Sequence, residues 1–398
     1  MINHLPLFLL KTKRMDVRHY FEPVDFLKFP NSGLLNKKDT LGAGIEKTTN
    51  TYFSEKPGQI DIALLGIPFD SRLKGDISCV PDKIREELYQ LSRINRNLKI
   101  ADFGNLKSSK SQKENYRALR DLVEYFKEQN ITLIILGGSQ DLTIGICEAF
   151  HNDPFFSLSV IDSRLDVKTG KDPLTSKNYL SHIFKLNPEI FQFNLIGYQS
   201  YFVPQEYFSK IMGINQHIRL GFLRENMTLI EPLFRNCDAV SFDIGSVKNT
   251  NSHESNIISP NGLRSEEACQ LSKYAGIAGR VKVFGLFEIT PDKDVSPAIV
   301  KLASQIIWYF IEGFSNRQSL NNYSIEMNTV YKVEVENIDN PLIFLRDKQT
   351  GQWWMEIKTV DNGKRYFACS EQEYFQASNN EIPELWLKYV QKTDEILK

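Results

Sequence analysis

Two carboxylates with an arginine between them follow a short apolar run near the middle of the chain. The sequence reads VIDSRLDVK at residues 160–168, so Asp162 and Asp166 flank Arg164. Acidic residues clustered where a buried strand ends commonly supply oxygen ligands to a metal ion. An arginine is unexpected there, because its guanidinium only donates hydrogen bonds and cannot coordinate a cation. The segment therefore indicates an acidic site with a fixed positive charge among its carboxylates.

Polar residues also follow three other apolar runs. AVSFD ends in Asp243, ITLIILGG is followed by Ser139, Gln140 and Asp141, and KVFGLF is followed by Glu288. A single acid at such a place is most simply a cap of the next turn or helix. Equivalent positions after several strands favour one shared site, because the carboxyl ends of parallel strands meet at one edge of a sheet.

The elements that must position these residues alternate along the chain. Segments with helical spacing of apolar residues include 114–129, 266–279 and 297–314. Between them lie short runs that are apolar almost throughout, which is typical of strands covered on both faces. These runs lie at 61–66, 98–104, 131–138, 157–162, 193–197, 217–222, 239–243 and 282–288. We therefore predict a three-layer α/β fold with a mainly parallel sheet of about eight strands.

The end of the chain has a different pattern. Apolar and polar residues alternate, with turn signals at 337–340 and 348–351, which predicts an antiparallel β-meander. A helix is expected to follow at 384–397. The predicted segments are an N-terminal wrapping segment (1–55), the α/β domain (56–315) and a C-terminal extension of β-meander and helix (316–398).

Composition argues against several classes of protein. The formal net charge is -1, from 48 basic and 49 acidic residues, whereas nucleic-acid-binding proteins usually carry a basic excess. Five scattered cysteines without a CxxC pair are typical of reduced thiols in the cytoplasm. The apolar run LPLFLL near the N-terminus is too short for a signal peptide or a membrane span. We predict a cytoplasmic protein without membrane insertion, which starts at Met1 or Met15.

Eight short motifs resemble the ureohydrolases, the family of arginase, agmatinase and formimidoylglutamase. In chain order they are LLGIPFD (64–70), PDKIREELYQL (81–91), DFGNL (102–106), LGGSQDLTIG (136–145), VIDSRLD (160–166), SFDIG (241–245), SPNGL (259–263) and EITPDKD (288–294). The fourth, fifth and sixth motifs stand where the family has GGDHS, DAHxD and SxDxD. The resemblance implies an arginase-like fold for the α/β domain.

The same resemblance implies a centre of two manganese ions, held by two histidines and four aspartates. Asp162, Asp166 and Asp243 match three of the aspartates. The positions without the family's ligand are Gln140 and Arg164, in place of the histidines, and Gly245, in place of the fourth aspartate. A two-manganese centre is therefore not expected.

What replaces the metal centre is open between two outcomes. Arg164 is predicted to place its guanidinium among the carboxylates, to hydrogen-bond Asp162 or Asp243, and so to replace the second ion. The remaining candidate ligands are the side-chain oxygens of Gln140, Asp162, Asp166 and Asp243. An all-oxygen set of this kind suits magnesium, manganese or calcium better than zinc. We predict either no metal or one weakly bound ion.

Two more residues match the substrate pocket of the family. Glu288 stands where the family contacts the guanidinium or amino end of its substrate, although the residue could equally cap the loop before Pro291. His182 lies near the position of a proton-shuttling histidine, with an ordinary surface or core role as the simpler interpretation.

Two classes of function follow. The missing ligands favour a ureohydrolase-fold protein that has lost catalysis and binds a ligand or another protein. The retained pocket residues keep open a hydrolase of formiminoglutamate or a guanidino compound with a remodelled centre. Trp353, Trp354 and Trp386 in the C-terminal extension either anchor a protein partner or pack the extension onto the main domain. A homo-oligomer also stays open.

Overall fold

The computed structural model describes most of the chain. The described residues are 17–29, 38–47, 60–68, 79–94, 97–107, 109, 111–168, 172–186, 190–210, 214–248, 260–289, 297–317, 326–336, 338–359 and 363–397. Among them, no helix is both long enough and apolar enough to span a membrane.

A ten-stranded sheet forms the centre of the molecule. In chain order its strands are β1 (Phe21–Glu22), β2 (Ile45–Lys47), β3 (Ile62–Gly66), β4 (Ile100–Leu106), β5 (Thr132–Leu136), β6 (Ser157–Ile161), β7 (Gln192–Tyr198), β8 (Ile214–Arg219), β9 (Ala239–Asp243) and β10 (Val283–Phe287). The spatial order is β1-β4-β3-β5-β10-β9-β6-β7-β8, and β2 also pairs with β4. All pairings are parallel except that of β1 with β4. The predicted parallel sheet is confirmed, with two short strands from the N-terminal segment added at one edge.

Helices cover both faces of this sheet. They are α1 (Cys79–Gln90), α2 (Gln112–Glu128), α3 (Thr143–Glu148), α4 (Tyr179–Leu186), α5 (Leu220–Glu225), α6 (Glu231–Arg235), α7 (Ser265–Ile277) and α8 (Pro297–Ser315). One apolar core includes residues of α1, α7 and α8, and a second includes residues of α2, α3 and α4. Two cores on opposite faces of one sheet are the three-layer architecture that the sequence predicts.

One predicted strand is partly wrong. The sequence predicts a strand throughout 217–222, but β8 ends at Arg219 and α5 begins at Leu220. Leu220 and Leu223 are both buried in the core, at the three-residue spacing of one helix face. The leucine at 220 therefore continues the apolar pattern of the strand while it belongs to the next element.

Helices α7 and α8 approach each other closely through two glycines. A Cβ placed at Gly276 would lie 2.2 Å from the carbonyl oxygen of Phe310, and one at Gly313 would lie 2.4 Å from that of Lys273. Any side chain at either position would force the helix backbones apart. This contact holds α8 against α7.

A separate antiparallel sheet follows. Its strands β11 (Asn328–Val333), β12 (Leu342–Asp347), β13 (Trp353–Lys358) and β14 (Lys364–Cys369) pair in sequence order, as the predicted meander requires. Two helices follow, α9 (Glu371–Ser378) and α10 (Glu384–Leu397). The second coincides with the predicted terminal helix, whereas α9 was not predicted.

Buried polar contacts join this C-terminal unit to the α/β domain. Asn236 Nδ2 donates to the Ala368 carbonyl at 3.0 Å, and Asn236 Oδ1 accepts from the Ala368 N–H at 2.8 Å. The Tyr389 hydroxyl accepts from Asn236 Nδ2 at 2.9 Å and donates to Gln192 Oε1 at 2.8 Å. Arg235 donates to two backbone carbonyls of the C-terminal unit. The two units are therefore packed as one body along this face.

The tryptophans of the extension lie at different depths. Trp353 is 5 % exposed, with its ring centre 5.1 Å from that of Tyr331 and 4.9 Å from that of Tyr374. Trp354 is half-buried, and the guanidinium of Arg235 lies 4.5 Å from its ring centre. Trp386 is half-buried against the core of the C-terminal unit. Packing within the chain thus occupies Trp353 and part of Trp354.

Candidate functional site

Four neighbouring strands bring polar side chains to one edge of the central sheet. Strands β5, β10, β9 and β6 are adjacent in that order. Gln140 begins a short 3-10 helix after β5, Glu288 directly follows β10, Asp243 is the last residue of β9, and Asp162 directly follows β6. Carboxyl ends of parallel strands are where sheets of this kind bind ligands. The candidate site therefore lies at the middle of this edge.

Asp162 is buried with one carboxylate oxygen unsatisfied. The residue is 1 % exposed, and Oδ1 accepts the Arg164 backbone N–H at 2.8 Å. The other oxygen, Oδ2, is buried without a hydrogen-bond partner. Burial, followed by the charges of Asp166 and Asp243, raises the pKa of Asp162 well above its usual value.

Asp166 lies beside Asp162 and is less buried. Burial raises its pKa to about 7, the charge of Glu288 acts in the same direction, and the hydrogen bond with Asp162 and the charge of Arg164 act against it. Asp166 thus disfavours the ionisation of Asp162, whereas the hydrogen bond between them favours the ionised form of Asp166. A carboxyl with such a pKa is partly protonated at neutral pH.

Gln140 links two of the strand ends. Its backbone N–H donates to Glu288 Oε1 at 2.7 Å, and its side-chain Nε2 lies 3.3 Å from Ser241 Oγ on β9. Ser241 Oγ in turn lies 2.8 Å from Thr143 Oγ1. The amide oxygen of Gln140 is buried without a hydrogen-bond partner, as is Asp162 Oδ2.

Glu288 has an unusual backbone conformation. Its φ is +68°, in a region that residues other than glycine seldom adopt. This conformation costs roughly 1–2 kcal/mol. Its N–H donates to the Gly138 carbonyl at 2.9 Å, and its carboxylate accepts the Gln140 N–H. The structure therefore places Glu288 at the strand ends and uses at least one of its oxygens to fix the loop after β5.

Gly245 and Asp243 form a tight turn after β9. The Gly245 N–H donates to Asp243 Oδ1 at 2.6 Å. A Cβ at position 245 would lie 2.9 Å from that same oxygen. A larger residue at 245 therefore requires the Asp243 carboxylate to move.

The prediction for the Arg164 side chain is wrong. Among the described contacts, its guanidinium makes no hydrogen bond or ion pair with Asp162 or Asp243, and only its backbone N–H contacts Asp162. The side chain is exposed, and its guanidinium carbon lies 3.7 Å from the ring centre of Phe202. The aromatic ring holds the positive charge at the rim of the site, where it acts on the half-buried Asp166 but does not pair with the buried carboxylate.

Tyr179 belongs to the site and was not predicted. The residue begins α4, is fully buried, and its hydroxyl has no hydrogen-bond partner. Burial, and then the charges of Asp162 and Asp166, raise its pKa well above the usual value; the nearby Ser241 side chain acts against this shift and the charge of Asp243 adds to it. Its sequence context, SKNYLSH, offers no motif for this role; its place at the start of an amphipathic helix is the one available signal.

His182 lies on the same helix, one turn further on. It is half-buried, and its pKa is lowered by burial and by the charge of Lys185. None of the strand-end aspartates is among the described groups that shift its pKa. A role of His182 in proton transfer stays a prediction.

The residues present do not fit a centre of two metal ions. Arg164 has no electron pair to donate and points to the rim, and Gly245 has no side chain. Within the described part of the chain, no three His, Cys, Asp or Glu side chains are arranged to hold a metal ion. At the strand ends, the oxygens of Asp162 and Gln140 without hydrogen-bond partners are the groups that could still contact a ligand.

These observations define a class of protein, namely a three-layer α/β protein with a cluster of acidic side chains at its central strand ends. Residues 60–312, more than half of the chain, match the family model of the arginases. The chain therefore belongs to the arginase family. Among curated proteins, none matches the chain.

Solved structures of low sequence identity share the fold. A formiminoglutamase of Trypanosoma cruzi solved with Mn2+ is 18 % identical over 68 % of this chain and 98 % of its own, with a TM-score of 0.58. The formimidoylglutamase of Bacillus subtilis is 16 % identical over 65 % of this chain and 89 % of its own, with a TM-score of 0.56. The agmatine ureohydrolase of Thermoplasma volcanium is 17 % identical over 66 % of this chain and 92 % of its own, with a TM-score of 0.53.

Proposed function

We propose that this arginase-family protein has lost hydrolysis by a two-manganese centre and acts by binding a ligand or a protein partner at the remodelled strand-end site. The observation that carries the proposal is the position of Arg164. A side chain that only donates hydrogen bonds stands at a ligand position and stacks on Phe202 outside the carboxylates. Gly245 removes another ligand position, so the second ion would keep Asp162 and Asp243 alone.

Loss of the second ion would remove the nucleophile. Two bound ions lower the pKa of a bridging water enough for hydroxide to exist at neutral pH. One weakly held ion provides much less of this effect, and the nearby Arg164 charge opposes even that ion.

The thiol of Cys147 does not offer a substitute nucleophile. Cys147 is buried on α3, and burial raises the pKa of its thiol far above the usual value. Because the thiolate is the reactive form, this residue is expected to be inert.

The binding role has its own support. Asp162 and Gln140 each keep a buried oxygen without a partner, and a binding site commonly leaves such acceptors for its ligand. A protein partner at the C-terminal unit, a homo-oligomer and a cytoplasmic location remain parts of this proposal. For the partner, the exposed part of Trp354 and Trp386 is the relevant surface.

The alternative is a hydrolase of amidine or guanidine C–N bonds with a remodelled metal site. The same two unpartnered oxygens favour it, because an all-oxygen set suits one magnesium, manganese or calcium ion. This alternative requires one bound ion and a nucleophile that a single ion activates.

Metal content and hydrolysis measured on one preparation separate the two candidates. The purified full chain is incubated with manganese, dialysed, and analysed for metal by elemental analysis. The same sample is assayed for urea and formamide release from arginine, agmatine and formiminoglutamate. We expect at most one ion per chain and no manganese-dependent product. Two tightly bound ions, or turnover that needs manganese, would overturn the non-catalytic proposal.

A further inference from the structure

Three buried polar atoms without partners belong to one small region of the site. They are Asp162 Oδ2, Gln140 Oε1 and the Tyr179 hydroxyl. Each of these residues is at most 1 % exposed. Buried polar atoms in folded proteins nearly always have a hydrogen-bond partner, so three exceptions at the same strand ends indicate a missing one.

Ser241 lies beside two of these three residues. Its Oγ lies 3.3 Å from Gln140 Nε2, and it is also a neighbour of Tyr179. After burial, the charge of Asp162 is the largest influence on the pKa of the Tyr179 hydroxyl. The three residues that carry the unsatisfied oxygens, after β6, in the loop after β5 and at the start of α4, therefore lie close to one another.

The chemistry of this space favours a guest that donates hydrogen bonds and carries positive charge. Gln140 Oε1 and the ionised form of Asp162 only accept hydrogen bonds, the Tyr179 oxygen can accept as well, and a bound cation would favour that ionised form. Asp162 and Asp166 form no ion pair with a described lysine or arginine, although the charges of Arg164 and Lys177 lower the pKa of Asp166. A buried carboxylate without an ion-pair partner is unfavourable, and a cationic donor would supply both the hydrogen bonds and the charge.

We propose that Asp162, Gln140 and Tyr179 form a binding site for an ammonium group, either free ammonium ion or the head of a primary amine. Three N–H bonds would go to Asp162 Oδ2, Gln140 Oε1 and the Tyr179 oxygen. The inference rests on the proposed function in one respect, namely that this site binds a ligand in place of two metal ions.

Other guests fit less well. A divalent metal requires several ligand oxygens close to one another, and no such group of acidic, cysteine or histidine side chains exists in the described structure. A water molecule can satisfy the hydrogen bonds but supplies no charge to the aspartates. A potassium ion supplies charge but does not donate hydrogen bonds, so it serves as the comparison ion.

Thermal unfolding of the full chain in different chloride salts tests the site. The melting temperature is measured at neutral pH against rising concentrations of ammonium, methylammonium, potassium and sodium chloride at equal ionic strength. We expect ammonium to raise the melting temperature saturably above the potassium curve, by roughly 2 °C once its concentration is about tenfold above the dissociation constant. An equal rise with methylammonium identifies a primary amine as the ligand, and its absence identifies free ammonium ion.

Variants locate the effect. Gln140→Leu and Tyr179→Phe should each abolish the difference between ammonium and potassium. Tyr389→Phe is the matched control, because it removes the hydroxyl of another fully buried tyrosine, at the contact with the C-terminal unit. This control is expected to lower the melting temperature in every salt while the ammonium difference persists.

The inference and the proposed function can fail separately. Equal melting temperatures in ammonium and potassium, or an ammonium difference that survives both site variants, would overturn the ammonium site alone. Manganese-dependent turnover would overturn the proposed function and does not enter the salt comparison.

Discussion

The guanidinium carbon of Arg164 lies 3.7 Å from the centre of the Phe202 ring, while the Arg164 backbone N–H donates to Asp162 at 2.8 Å. One residue thus binds the buried carboxylate through its main chain and turns its charge away from it. The positive charge of Arg164 therefore lies at the rim of the site and is not paired with the carboxylates of the interior. The second carboxylate oxygen of Asp162 is thus left without a hydrogen-bond partner.

Removing the Arg164 side chain should have a small effect on stability. Arg164→Ala gives up an exposed cation–π contact, which is worth about 0.5–1 kcal/mol. Urea unfolding at neutral pH measures the change. Arg85→Ala is the matched control, because Arg85 is 0 % exposed and contacts Asp102 at 2.7 and 3.1 Å. Loss of that buried pair should cost roughly 3–5 kcal/mol. A loss of similar size for Arg164→Ala would mean that its guanidinium is inside the site.

The fold was largely predictable because its signals are local. A strand covered on both faces is apolar throughout, and AVSFD became β9 over the same residues, 239–243. The ends were harder to predict where apolar residues continue from one element into the next, as at Leu220. Helix α9 was missed although a signal was present, since Ser370 and Glu373 form a capping box at its start.

The site was predictable in its positions but not in its side-chain directions. Acids at equivalent strand ends had to meet at one edge, whatever their rotamers. The orientation of Arg164 depends on Phe202, which a different strand and loop bring to the rim. Tyr179 reaches the aspartates because α4 begins there. Neither fact follows from spacing within one motif, because both require the packing of separate elements.

Asn236 should be critical for the attachment of the C-terminal unit. Asn236→Ala would remove both hydrogen bonds to Ala368 and one to the Tyr389 hydroxyl, leaving buried polar groups unsatisfied. We expect a loss of roughly 2–4 kcal/mol in the free energy of unfolding. Unfolding is followed by tryptophan fluorescence and by far-ultraviolet circular dichroism.

The control for this variant is Asn340→Ala in the same unit. Asn340 is exposed and its side chain accepts a hydrogen bond from Lys358 at the surface, so its replacement should change stability by less than about 0.5 kcal/mol. Equal effects of the two alanine variants would show that the polar contacts of Asn236 do not stabilise the chain.

Acid should destabilise the protein through His217. Burial, and then the charge of Lys388, lowers the pKa of His217 to about 4, and its ring lies against Phe208 with ring centres 4.0 Å apart. Between about pH 6.5 and 4, His217 binds a proton in the unfolded chain but stays neutral in the folded chain. Stability should therefore fall as pH drops from about 6.5 to 4, by at most about 1.4 kcal/mol per pH unit from this group.

His217→Phe isolates that contribution, because phenylalanine keeps an aromatic ring against Phe208 and does not titrate. Urea unfolding is measured at several pH values for both proteins. The difference in free energy of unfolding between wild type and variant should change across this window and be constant above it. A difference that is independent of pH would show that His217 is accessible to protons in the folded state.

Restoring the missing ligands is the most demanding prediction, and Gly245 decides its outcome. Gln140→His, Arg164→His and Gly245→Asp together would recreate the ligand set that the family resemblance implies. A Cβ at 245 would lie 2.9 Å from Asp243 Oδ1, so the new aspartate must displace the Asp243 carboxylate from the Gly245 N–H. We expect the triple variant to bind more manganese than the natural protein but to melt at a lower temperature without metal.

The double variant Gln140→His with Arg164→His, which leaves that turn intact, is the control and should bind at most one ion. Calorimetric titration with manganese measures the stoichiometry of all three proteins. If the double variant binds two ions tightly, then the lost aspartate at 245 is not what excludes the second ion, and the ligand-count argument for the non-catalytic function fails.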